Sequence, residues 1–213
     1  MSKPIPSKTE LAALPLFAGL SLGQIHLPAT RAQFESAAAD ILAAGLVGFD
    51  TESKPTFAPG ERSSGPHVVQ FALANRAYIF QVHRGEGLDL LTSLLHSTTL
   101  VKVGFGLSSD RGQIRDKLGL PLRAVLDLNT LFRQQGYRSA MGVRGAVGVV
   151  FGQRFQKSRK VTTSNWALPQ LSAPQLLYAA NDAFAALKVL QALDAPRSEW
   201  PVDGLGDDPA LLP

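Results

Sequence analysis

The stretch Leu46-Val47-Gly48-Phe49-Asp50-Thr51-Glu52 constrains the fold of this chain more than any other. Its first four residues form a compact apolar run, the pattern of a strand buried inside a sheet. The run then ends in two acids two positions apart. Alternation along a strand puts Asp50 and Glu52 on the same face. Two such carboxylates repel each other and lose hydration, so burial alone would push their pKa values up. A cation between them removes both penalties. The plainer alternative is that the strand frays into solvent after Phe49 and the acids are merely exposed.

The surrounding pattern predicts what this strand packs against. Residues 31–44 place Phe34, Ala38, Ile41 and Leu42 at helical spacing, and Gly45 stops the helix. Residues 53–66, with Pro55, Pro59 and Pro66, read as a loop. Apolar runs at 67–73 and 77–82 flank Ala74-Asn75-Arg76 and predict a β-hairpin. Further on, the spacing predicts helices at 88–95, 108–118, 129–135 and 143–151, with strands at 100–105 and 124–128. The last helix is the clearest element. Ser172 and Gln175 form a capping box, and Leu176, Ala180, Phe184, Leu187 and Leu190 make one apolar face. A hairpin followed by alternating strands and helices implies an α/β fold with a mixed sheet, and 213 residues suit one such domain. Residues 1–28, with four prolines, read as a loosely structured lead-in containing one short strand near residues 23–27. Residues 196–213, rich in Pro, Gly and Asp, read as a disordered acidic tail.

Composition narrows the chemistry. The chain has no cysteine, which excludes disulfides and thiolate metal sites and leaves oxygen or the four histidines as ligands. The start carries no continuous apolar leader, and the apolar stretch 11–20 contains Pro15 and is too short for a bilayer, which needs about 20 residues. The expectation is a soluble, cytoplasmic protein with no membrane partner. The net charge of +4 hides an asymmetry: residues 194–213 hold five acids and one base, which leaves 20 bases against 12 acids, a net +8, in the rest. A basic body suits a polyanionic partner.

Two further acids stand out. Tyr178 and Asp182 lie four apart on the last predicted helix, so they stack on one face among small alanines. Asp110 follows Ser108-Ser109 where a strand gives way to a helix, a place where acids are also common simply as caps. Taken together, four acids and a tyrosine at strand ends and on one helix form an oxygen-only set that suits Mg²⁺ or Mn²⁺. Four carboxylates exceed what one Mg²⁺ ordinarily takes, so two divalent ions sharing ligands is the natural count.

The three blocks GFDTES (48–53), VGFGLSSD (103–110) and YAANDA (178–183) resemble the three exonuclease motifs of the DEDD superfamily. The tyrosine four residues before the last acid marks the DEDDy branch. The stretch 144–193, with KSRKVTTSNW (157–166), is most similar to the group containing ribonuclease D and the Werner-syndrome exonuclease domain. The resemblance covers roughly residues 40–193. It implies a ribonuclease H-like mixed sheet, an antiparallel hairpin plus parallel strands flanked by helices, with an exonuclease domain at 29–195. It also implies 3′–5′ removal of nucleotides from DNA or RNA, metal-ligand roles for Asp50, Glu52, Asp110 and Asp182, and a water-positioning role for Tyr178. Arg154, Lys157, Arg159 and Lys160 form a basic loop suited to a phosphate backbone, or simply a solvated charge run, and Trp166 is a candidate for base stacking or for packing under the loop. Phe57 is a weaker candidate for lining the cleft. Two competing functions share this fold: a catalytically inactive nucleic-acid-binding module, and an enzyme acting on very short oligonucleotides.

Overall fold

The first long helix spans residues 31–44 and stops at Gly45 as the sequence predicts, and Thr30 caps its start. Thr30 caps the amide of Gln33 while the Gln33 side chain bonds back to the Thr30 backbone, and Gly45 takes φ 64° to end the helix. A computed structural model describes residues 3–56, 60–193 and 195–205. In chain order its elements are α1 (Lys8–Ala13), β1 (Ile25–His26), α2 (Arg31–Ala44), β2 (Leu46–Glu52), β3 (Val68–Ala72), β4 (Ala77–Gln81) and α3 (Leu88–His96), followed by β5 (Val101–Gly104), α4 (Ser108–Leu118), β6 (Val125–Asp127), α5 (Leu128–Gln134), α6 (Gly142–Phe151), α7 (Arg159–Thr162), α8 (Ala173–Ala192) and β7 (Val202–Asp203).

The strands form one sheet in the order β1-β4-β3-β2-β5-β6-β7. The hairpin β3–β4 and the β2–β3 pair are antiparallel, and β2, β5 and β6 run parallel. This is the mixed sheet that the pattern predicts. β2 lies at the centre, with its odd-numbered residues Val47 and Phe49 on one face. They join Phe71, Phe80 and the buried faces of α2 and α3, and the Phe49 and Phe71 rings sit 5.6 Å apart. Leu42, expected in that core, is 49% exposed because Ala37 turns inward instead. On the same face Lys102 is fully buried, and its three N–H groups reach the carbonyls of Leu94, Ser97 and Leu100 at 2.7–3.1 Å. Burial pulls this lysine down to about 7, against the pull of three acceptors arranged for an ammonium.

The even-numbered face of β2 receives α8. Ala179, Ala180 and Ala183 keep that helix thin where it crosses Val68, Ala72 and Ile79. At Gly48 the approach is closer still: a Cβ there would collide with the backbone carbonyl of Ala183. Gly48 therefore sets the height of α8 above the sheet, and with it the height of every side chain that α8 carries toward β2.

Both ends of the chain differ from expectation. Residues 1–28 do supply the short strand β1, but also α1, closed by a capping box between Ser7 and Glu10. Within 196–213, expected to be a disordered tail, β7 pairs antiparallel with β6, Gly204 accepts from the Ala124 amide, and Asp203 pairs with Arg111. Long-range pairing to a sheet edge supplies order that local composition does not report. Residues 206–213 lie outside the described residues.

Gly48→Ala should cost about 1–3 kcal/mol, because backbone rather than a flexible side chain must yield. A urea midpoint equal to that of the unchanged chain would contradict this packing.

Candidate active site

β2 and β5 run parallel, so their carboxyl ends lie side by side at one edge of the sheet. Alternation turns Asp50 and Glu52 toward α8, which answers with Tyr178 and Asp182 one helical turn apart. One oxygen from each of Asp50, Glu52 and Asp182 lies within 4.8 Å of the other two. Glu52 and Asp182 are 8% and 6% exposed, so the strand does not fray into solvent as the plainer reading had it.

Asp110 reaches the same cleft from the first turn of α4. It serves more than capping, because its carboxylate accepts from the hydroxyls of Thr51 on β2 and Ser109. The loop before it is held by Asp127, which accepts from the amides of Gly106 and Leu107, both at 3.1 Å. Beside it, Ser53 bonds Gln113. Thr51, Asp127 and Gln113 had no signal in the sequence beyond being polar, because their partners are distant in the chain. Asp50, Glu52, Asp110, Tyr178 and Asp182 all line one cleft of about 380 Å³.

The electrostatics of the cleft follow from this crowding. Burial first, then the neighbouring carboxylates, pushes Asp50 well above the usual range and Glu52 up to about 8. Burial also raises Asp110, while the hydroxyls of Thr51 and Ser109 pull it back. Tyr178 is raised further above its ordinary value by burial and by the charges of Asp182 and Glu52, so it stays protonated.

The basic loop divides. Lys157 turns into the acidic cleft: its Nζ donates to Asp182 Oδ2 at 2.8 Å and lies 5.1 Å from the centre of the Tyr178 ring. Burial works against its charge, but Asp182, Asp50 and Glu52 outweigh burial and raise it. Arg154, Arg159 and Lys160 are exposed and do not line this cleft. Trp166 does not support base stacking. It is 1% exposed, donates to the Thr162 carbonyl, and packs 6.0 Å from Tyr178 as a wall beneath the site. Phe57 lies outside the described residues.

The sign of the pH dependence is fixed by these shifts. In chelator, the folded state holds a proton on Glu52 up to about pH 8, whereas the unfolded chain loses it near 4.5. The folded state therefore binds more protons across that window, and stability falls as pH rises through it. The melting temperature in EDTA should drop between pH 5 and pH 8, more steeply in Lys157→Gln, and saturating Mn²⁺ should remove the drop. A flat profile would mean that Glu52 is not raised by its burial and its neighbours.

A family model described as 3′–5′ exonuclease matches residues 25–195 of the chain. The mouse bifunctional 3′–5′ exonuclease/ATP-dependent helicase WRN is 28% identical over 153 residues, which are 70% of this chain and 11% of that one. An Arabidopsis thaliana 3′–5′ exonuclease is 28% identical over 150 residues, 70% of this chain and 52% of its own length. The chain thus spans about half, or far less, of these relatives. Among solved structures, Trypanosoma brucei RNase D in complex with RNA U12 superposes with a TM-score of 0.71 at 20% identity, covering 92% of this chain and 67% of that one. That superposition shows a shared ribonuclease H-like fold.

Proposed function

The chain belongs to the 3′–5′ exonuclease family, and from that premise we propose that it hydrolyses phosphodiester bonds at the 3′ end of a nucleic acid with the help of divalent metal ions. The observation that carries this reading is the convergence of Asp50, Glu52, Asp110, Tyr178 and Asp182 on one cleft. The donor set fits Mg²⁺ or Mn²⁺. It is all oxygen, it is crowded enough to raise carboxylate pKa values, and it already holds a cation, the Lys157 ammonium on Asp182. Asp50, Glu52, Asp182 and Asp110 would hold the ions. When bound, such ions make water a better nucleophile and offset charge on the phosphate and the leaving 3′ oxygen.

The protein's own groups have separate tasks. Tyr178 keeps its proton, so it acts as a donor that fixes the attacking water in line rather than as a base. Glu52, ionised once cations offset the crowded charges, accepts from that water. Lys157 is released to meet the substrate phosphate once Asp182 is otherwise engaged. A cleft of about 380 Å³ takes in a terminal nucleotide rather than a duplex, so the substrate enters as a frayed end.

A gel assay with 5′-labelled 30-mers of DNA and RNA tests the proposal. With Mg²⁺ or Mn²⁺ the products should shorten stepwise from the 3′ end, and EDTA should stop the reaction. Asp50→Asn should lower the rate by roughly 10³-fold, about 4 kcal/mol of barrier, while strand binding persists. Near-normal cleavage by Asp50→Asn would remove the site assignment. Turnover of a dinucleotide alone would favour the short-oligonucleotide enzyme, and no turnover of either would favour the binding module.

A further inference from the structure

The family model matches the chain from residue 25 onward, and residues 3–24 precede that match. They are fastened to the catalytic unit at three points. Arg154 donates to Pro15 and accepts from Phe17 through the backbone, at 2.8 and 3.0 Å. Phe17 stacks among Phe151, Phe155 and Phe184 with ring centres 5.6–6.4 Å apart. Leu20 is bracketed by the Asn181 side chain, which accepts from its amide at 2.6 Å and donates to its carbonyl at 3.2 Å. α1 then lies against α6, where Leu11 fills the space left by the missing side chain of Gly148.

This docking has a chemical result. It brings Lys8 of α1 beside Arg144 of α6 and Arg154 and Lys157 of the basic loop. Together they line a second cleft of about 290 Å³, with Leu11 and Phe155 as apolar walls and no acid in the lining. Lys8, Arg144 and Arg154 are exposed, and none of the ion pairs among the described residues uses them. The Arg144 guanidinium instead donates to the carbonyl of Lys157 and fixes the loop. Lys157 lines both this cleft and the acidic one, so the two adjoin. Lys157 is paired with Asp182 on the acidic side, but Lys8, Arg144 and Arg154 have no acid in the lining of this cleft and repel one another, and a chain of phosphates offsets that repulsion.

We infer that the second cleft binds the phosphodiester backbone of the single strand that trails behind the terminal nucleotide, and that residues 3–24 exist in part to build it. The inference rests on the exonuclease reading above and names the path its substrate takes. It assigns Lys8 and Arg144, which the sequence pattern had not singled out, and favours Arg154 over Arg159 and Lys160 as strand contacts.

The test is equilibrium binding of fluorescein-labelled oligo(dT) and oligo(U) 12-mers and dinucleotides, in the Asp50→Asn background, across a salt series. Adding Lys8→Ala and Arg154→Ala should weaken 12-mer binding about tenfold, reduce the salt slope by about 1.4, at roughly 0.7 per lost contact to a single strand, and shrink the 12-mer advantage over the dinucleotide. Lys8→Ala alone should give half the slope change. It removes a cation from the first turn of α1, where the helix dipole disfavours it, so α1 is not weakened. An unchanged slope and 12-mer affinity in both variants would overturn the second cleft and leave the exonuclease reading standing. A parent protein that binds neither ligand would overturn both.

Discussion

The contact between α8 and β2 governs this molecule. Helix and central strand meet where Gly48 has no side chain and the helix offers alanines. Backbone thus approaches backbone, at a distance that larger residues would forbid. Two residues beyond Gly48 comes Asp50, and one residue before Ala183 comes Asp182. The same spacing that packs the core therefore delivers two carboxylates to each other. Stability and chemistry are coupled here through geometry: a looser crossing would relieve the acids but separate the ligands.

The cost of that coupling is electrostatic. Buried like charges are unfavourable, and the structure offsets them partly with Lys157, whose ammonium pairs with Asp182 and is attracted by Asp50 and Glu52. The pair is an intermediate arrangement. It is held by a flexible side chain that is 30% exposed, so it can be exchanged for a stronger cation or for an anion arriving with one. Asp110 is stabilised differently, by fixed hydroxyls from Thr51 and Ser109, and needs no counter-charge from the loop.

Much of this was readable from the sequence wherever the determining contacts are local. The extent of α2 follows from its helical spacing and Gly45, that of β2 from its apolar run, and the start of α8 from Ser172 and Gln175. The convergence of the four acids was legible only as a set of motifs, since no one of them distinguishes a ligand from a cap or an exposed pair. What escaped was set by long-range contacts. α1 has only six residues and buries none of them, so no periodicity marks it. β7 is ordered by β6 and Arg111 from far upstream. Lys157 sits in a run of bases that looks uniformly solvated, yet the fold turns this one inward. Trp166 read either as a stacking platform or as packing under the loop, and its burial against Tyr178 places it as packing.

The sheet is bordered on each side by a strand of only two residues, β1 at one margin and β7 at the other. Unpaired strand margins invite other chains to add themselves, and very short border strands are a recognised defence. Both borders come from outside the central motif region. Trimming the chain to its three motif blocks would strip these guards from β4 and β6, and would turn a self-contained sheet into one that recruits copies of itself.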